Sequence, residues 1–148
     1  SLISAQLPGS EVLTHPHFVA PIDVTVERLD KQARVKKPEE ILPDDKIVDI
    51  GPETFALITP FIAEASFILW NGPTGLYEEG YISYTHAIAE LIEKAVAGGA
   101  TAVIGGGDTI AAIEDVIPGG KLGFLSTGGG SMLEYLLKGS LPAIDVLK

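Results

Sequence analysis

The feature that most constrains this chain is a unit that recurs three times after residue 66: an apolar run, a glycine-rich turn, then a segment with helical spacing. Its sharpest copy is Ile104-Gly105-Gly106-Gly107-Asp108-Thr109, preceded by Ala102-Val103. The apolar run reads as a short buried strand. A strand that turns through glycines into a helix start is suited to holding phosphates. Without Cβ atoms the backbone can approach an anion, and the free N–H groups of the helix point at it. Asp108 adds a hard oxygen ligand fit for a Mg²⁺ riding on those phosphates. A structural turn with Asp108 as N-cap is the competing reading of this copy alone.

The other copies are Phe67-Ile68-Leu69-Trp70 closed by Asn71-Gly72-Pro73-Thr74-Gly75, and Leu122 to Leu125 running into Ser126-Thr127-Gly128-Gly129-Gly130. The intervening helices are expected from about Ser83, with Ile88, Leu91, Ile92 and Ala95 on one face and Gly98-Gly99 at its end. A second follows Asp108, carrying Ile110, Ile113 and Val116. A third spans about Ser131 to Lys138, buries Met132, Leu133, Leu136 and Leu137, and is capped by Gly139. Alternating strands and helices imply a parallel sheet covered on both faces. Three glycine turns after three parallel strands emerge at one edge, the carboxyl end, where such folds bind ligands. That convergence favours phosphate binding over three unrelated turns.

Upstream, residues 1–17 read as loop or short helix. Phe18 to Val26 reads as a strand, with Pro21 placing it at a sheet edge. Arg28 to Asp45 is a polar surface excursion, and Lys46 to Ile50 a brief strand. Gly51-Pro52 opens a helix with Phe55, Ile58 and Ile62 on its apolar face. Pro60 inside it is expected to kink or interrupt it. Leu141-Pro142 begins a C-terminal tail. His15 and His17 flank a proline without a third ligand, and read as solvated loop residues rather than a metal pair.

Composition narrows the function classes. A net charge of −10 disfavours nucleic acid or an anionic membrane as partner. It equally disfavours a bare anionic ligand unless dipoles, lysines or Mg²⁺ compensate. The absence of cysteine excludes disulfides and thiolate metal sites. No apolar run reaches the roughly 18 residues of a membrane span, and a cytoplasmic protein is expected.

Taken together, Trp70-Asn71-Gly72-Pro73-Thr74-Gly75-Leu76-Tyr77-Glu78, Gly105-Gly106-Gly107-Asp108-Thr109 and Ser126-Thr127-Gly128-Gly129-Gly130 resemble the nucleotide-binding domain of phosphoglycerate kinases. Asp49-Ile50-Gly51-Pro52-x-Thr54 and Leu141-Pro142 fit as well. The resemblance covers residues 18–148 and reads residues 1–148 as the C-terminal portion of that domain. It implies an α/β fold, a three-layer doubly wound parallel sheet of Rossmann-like type lacking its first strands. It also implies Mg²⁺ and ADP or ATP as ligands. Asp108 would bind the metal. Gly105, Gly106, Gly107, Thr109 and Asn71 would line the phosphates, with Pro73 and Gly75 completing the nucleotide-binding set. Glu78 would accept hydrogen bonds from the ribose hydroxyls. Val48 and Leu76 would sandwich the adenine, touched by the main chain at Ile47. Gly128, Gly129 and Gly130 would aim amides at the transferred phosphoryl group, the catalytic role.

Four positions depart from the family pattern: Ile47 where glycine is usual, Thr74, Ser131, and Pro60 in a helix otherwise regular. The resemblance further implies that the N-terminal domain with its 3-phosphoglycerate site has no counterpart here, so the isolated chain is expected to be inactive. A stand-alone nucleotide-binding module and a ligand-free oligomeric remnant are the alternatives. The family's first two strands would lie between Phe18–Val26 and Phe67–Trp70. Their absence is expected to be repaired by direct pairing of these two, or by self-association through the exposed sheet edge.

Overall fold

A computed structural model describes residues 9–117 and 122–146. A short helix α1 (Ser10–Leu13) precedes strands β1 (Val24–Glu27), β2 (Ala33–Lys36) and β3 (Lys46–Ile50). Helix α2 (Pro52–Glu64) leads to β4 (Phe67–Asn71), α3 (Ser83–Ala97), β5 (Thr101–Gly105) and α4 (Gly107–Ile113). Strand β6 (Phe124–Ser126), α5 (Gly129–Lys138) and α6 (Pro142–Asp145) complete the chain. Gly119 and Gly120, read as the break before the last strand, lie outside the described residues. Among the described residues, no helix is long and apolar enough to cross a membrane.

The three repeated units form the parallel sheet β4-β5-β6, with Asn71 level with Gly105, and Gly105 with Ser126. This is the α/β arrangement expected. Its core lies where Ala102 and Ile104 of β5 meet Ile88, Ala89 and Ile92 of α3, with Ile113, Ile117 and Leu122. Ile68 and Trp70 of β4, in register with Ala102 and Ile104, join them on that face. Phe55, Ile58 and Ile62 of α2 pack on the same cluster.

The opposite face is not covered as expected. Phe67 is 58% and Phe124 67% exposed, and Leu69 is also open. Met132 of α5 reaches this face at Gly105, but Leu136 and Leu137, expected in the core, are exposed. The described part of this chain supplies no second helical layer for them to enter.

The N-terminal half departs further from the sequence reading. β1 begins only at Val24, past Pro21, and is the central strand of a separate antiparallel sheet β2-β1-β3 rather than an edge. The supposed excursion contains β2, joined to β1 by a turn in which Lys31 takes φ of 60°. Its apolar residues, Ala33 and Val35, face outward while Arg34 and Lys36 are half-buried, the reverse of the pattern that marks a core strand. β1 and β4 therefore do not pair directly, and among the described residues the outer edge of β4 is open. Pro60 does not break α2, which runs unbroken to Glu64. Pro60 and Ala56, the residue whose carbonyl it deprives of a donor, both lie on the exposed side, where water can serve. Thr59 Oγ1 donates to the neighbouring Phe55 carbonyl at 2.8 Å.

The two halves are joined through the start of α2. Asp23, only 2% exposed, receives the Glu53 and Thr54 N–H groups at 2.9 and 2.7 Å. Thr54 Oγ1 lies 2.7 Å from Asp23 Oδ1 and accepts the N–H groups of Ile22 and Asp23. The carboxylate thus does from a distance what an N-cap does locally. Burial pushes its pKa up, but the three hydrogen bonds outweigh it and hold it below the usual range. Thr54→Val is expected to cost about 1–2 kcal/mol at pH 7, since two N–H groups lose their acceptor. A carboxyl lowered on folding stabilises above its unfolded pKa and loses that contribution as pH falls through the folded one. Denaturant melts are therefore expected to show the wild type losing stability in acid, and the gap to the variant narrowing.

Candidate functional site

Because the ends of β4, β5 and β6 are level, the turns leaving them meet. The Gly72 N–H donates to Thr109 Oγ1 at 2.8 Å, tying the first turn to the second. The Gly106 N–H donates to the Ser126 carbonyl at 3.0 Å, tying the second to the third. Gly129 closes the group. A Cβ there would stand 2.7 Å from Gly106 N and would collide with Asn71 Oδ1. Asn71 in turn sits 2.9 Å from where a Cβ on Gly105 would be. Asn71, Gly105, Gly106, Thr109 and Gly129 are thereby one packed unit.

The N-cap of α4 is Gly106, with φ of 94°. Asp108 is therefore not the N-cap that the structural reading of this turn required. It lies exposed in the first helical turn, leaving its carboxylate available. Gly107 opens α4, also exposed. In such a helix start the first N–H groups have no intrahelical acceptor. The same holds at α5, where Gly128 is the N-cap and Gly129 and Gly130 begin the helix.

Asp108 faces a cleft of about 230 Å³ whose other walls are Pro73, Gly75, Leu76, Tyr77, Glu78 and Glu79. Here residues separated by thirty positions in sequence come together. Gly128, Gly129 and Gly130 are not in these walls, and neither is Gly106, which Gly129 meets. On β3, Ile47 is 52% exposed while Val48 is 2% exposed. Of the residues expected around the adenine, Ile47 and Leu76 are open, and Leu76 alone lines the cleft. Val48 contributes its carbonyl, which accepts the Leu76 N–H at 2.9 Å.

Three further links hold the loop that runs through Gly75. Lys46 Nζ pairs with Glu79 at 2.6 Å. The Tyr81 hydroxyl donates to Glu27 Oε2 at 2.6 Å. That hydrogen bond, aided by burial, pushes the Tyr81 phenol up to about 12. The Thr74 N–H donates to the buried Thr85 hydroxyl at 3.1 Å. Tyr77 escaped the sequence reading. Burial first, then the Asp108 and Glu78 carboxylates beside it, raise its phenol, so it stays protonated and can donate between them. No spacing in the sequence announces this, because Tyr77 and Asp108 meet only when β4 and β5 pair.

The cleft walls carry three carboxylates and no basic side chain. A free polyphosphate would be repelled there; one carrying a divalent cation would not. Among the described residues, no group of three or more His, Asp or Glu side chains is placed to enclose a metal. One carboxylate plus phosphates and waters is the donor set that Mg²⁺ commonly takes, and Asp108 fits it.

Comparisons of the whole chain with known proteins agree on one family. The family model for phosphoglycerate kinase matches residues 10–139. The phosphoglycerate kinase of Koribacter versatilis is 41% identical over 137 residues, covering 88% of this chain and 33% of that protein. That of Francisella tularensis is 40% identical over 132 residues, covering 86% and 33%. Among solved structures, phosphoglycerate kinase from Coxiella burnetii aligns with a TM-score of 0.73 at 36% identity, over 87% of this chain and 33% of that one. The Pyrococcus horikoshii enzyme aligns at 0.69 and 26% identity, over 90% and 33%. The chain spans about a third of the length of these relatives.

Proposed function

The chain belongs to the phosphoglycerate kinase family, and from that premise we propose that it forms the nucleotide-binding part of an enzyme moving a phosphoryl group between 1,3-bisphosphoglycerate and ADP. The observation that carries the reading is the acidic cleft beside the three-turn glycine unit, where Asp108 and Glu78 face one space. Leu76 and Ile47 would offer apolar surface to the adenine, and Glu78 would accept from the ribose hydroxyls. Amides at the starts of α4 and α5 would face the phosphates. Mg²⁺, held by Asp108, would supply charge neutralisation. A carboxylate is leaving group in one direction and nucleophile in the other, so alignment rather than a general base is required.

The bare face at Phe67, Leu69 and Phe124 fits a chain that packs against further protein. Relatives three times as long supply the obvious source, including the domain that would carry the 3-phosphoglycerate site. The 148-residue chain is accordingly expected to bind Mg-ADP without turnover.

Calorimetric titration with ADP, with and without Mg²⁺, tests the reading. Binding that requires Mg²⁺ supports it. Equal binding without the metal would contradict the electrostatic argument. No binding, together with a dimer in sedimentation, would favour a remnant that self-associates through the open β4 edge.

A further inference from the structure

We propose that Asp49, a buried carboxylate given no role above, is a positioning residue that sets the nucleotide loop against β3. The proposal rests on the nucleotide reading of the cleft. Asp49 is 5% exposed. Its carboxylate lies directly against Gly75, so that a Cβ there would stand 2.6 Å from Asp49 Oδ2 and would also collide with the Tyr81 carbonyl. Its Oδ1 accepts the Ile50 N–H at 2.8 Å, and the Thr74 hydroxyl stands close enough to favour the charged carboxylate.

Two consecutive loop residues, Thr74 and Gly75, thus rest on one side chain. The residues that follow at once, Leu76 to Glu78, are walls of the cleft. β3 touches the loop at three points: Lys46 on Glu79, the Val48 carbonyl on Leu76, and Asp49 on Thr74 and Gly75. The first is an exposed ion pair, a kind that contributes little. The second is backbone and indifferent to side chain. Asp49 is the buried side chain of the set, and burial raises its pKa, a cost in charged form that packing alone would not require. Its placement is explained if the loop's seat must be rigid and polar, because Gly75 brings backbone to within contact of it.

Amide hydrogen exchange and Mg-ADP titration on Asp49→Ala and Asp49→Asn test this. The Leu76 and Tyr81 amides, bonded to the Val48 and Leu76 carbonyls, report the loop. In Asp49→Ala they are expected to exchange about tenfold faster, with Mg-ADP affinity down by about tenfold and the amides of Ile92 and Ile104 unchanged. Asp49→Asn keeps an acceptor of the same shape and is expected to restore most of both. Unchanged loop exchange in Asp49→Ala, acceleration throughout the chain, or a loosened loop with normal affinity would overturn the proposal, as would Asp49→Asn behaving like Asp49→Ala. If the unaltered chain binds no Mg-ADP, the nucleotide reading fails, and with it the nucleotide role of Asp49, whereas the loop amides report the anchoring separately. Should Asp49→Ala not fold, Gly75→Ala is expected to loosen the same two amides from the other side.

Discussion

Asp108→Ala is expected to weaken Mg-ADP binding by at least about tenfold and to abolish the advantage of Mg²⁺ over metal-free ADP. The side chain is exposed, in the first turn of a helix capped by Gly106, and faces Tyr77 and Glu78 across the cleft. Its structural contributions are a favourable charge near a helix N-terminus, worth about 0.3–1 kcal/mol, and a contact with the Tyr77 hydroxyl that Glu78 also makes. The melting temperature should therefore fall by no more than roughly 4 °C. Binding and stability separate cleanly in this variant. Calorimetry with and without Mg²⁺, beside a thermal melt, checks both. A large loss of stability with unchanged binding would return Asp108 to a structural role.

Gly129→Ala is expected to do the reverse, costing both fold and site. The added methyl would stand 2.7 Å from the Gly106 nitrogen and would strike Asn71. The Asn71 amide can swing aside, but Gly106 is backbone held between β5 and α4 and cannot. Relief requires the second and third turns to part, which breaks the tie between Gly106 and Ser126. Overpacking of this kind costs about 1–3 kcal/mol, which for a chain of this size lowers the melting point by roughly 4–12 °C. Mg-ADP binding should be lost with it. Gly130→Ala is the control. Nothing lies within 4 Å of its Cβ position, and alanine is the better helix former by about 1 kcal/mol. Its melting point should hold or rise. Equal effects from the two substitutions would show that helix propensity, not the meeting of turns, governs this end of α5.

The parallel half of the fold could be read from the chain because each of its signals is local. Ile88 and Ile92 recur at helical spacing, Ala102 and Ile104 alternate inward, and Gly98-Gly99 stops the helix where the apolar face ends. The antiparallel half carried weaker local signals. β2 is Ala33-Arg34-Val35-Lys36, a four-residue alternation whose apolar side faces outward, and it exists because β1 offers it a partner. The Asp23–Thr54 link spans thirty-one positions and was equally invisible. Leu136 and Leu137 had the spacing of core residues yet stand exposed, because periodicity states which side of a helix is apolar and not whether anything lies against it.

The site divides the same way. That glycine turns would meet at one sheet edge, with Asp108 and Glu78 near it, was determined by the sequence alone: strand, turn and helix signals are short-range, and parallel strands must all end on one side. Which groups touch was decided only by tertiary structure. Register across β4, β5 and β6 brought Asn71 onto Gly105 and Gly129, and Tyr77 to Asp108. The pairing of β3 with the loop buried Val48, left Ile47 open, and set Asp49 beneath Gly75. Those contacts depend on distances across strands, which no stretch of residues encodes by itself.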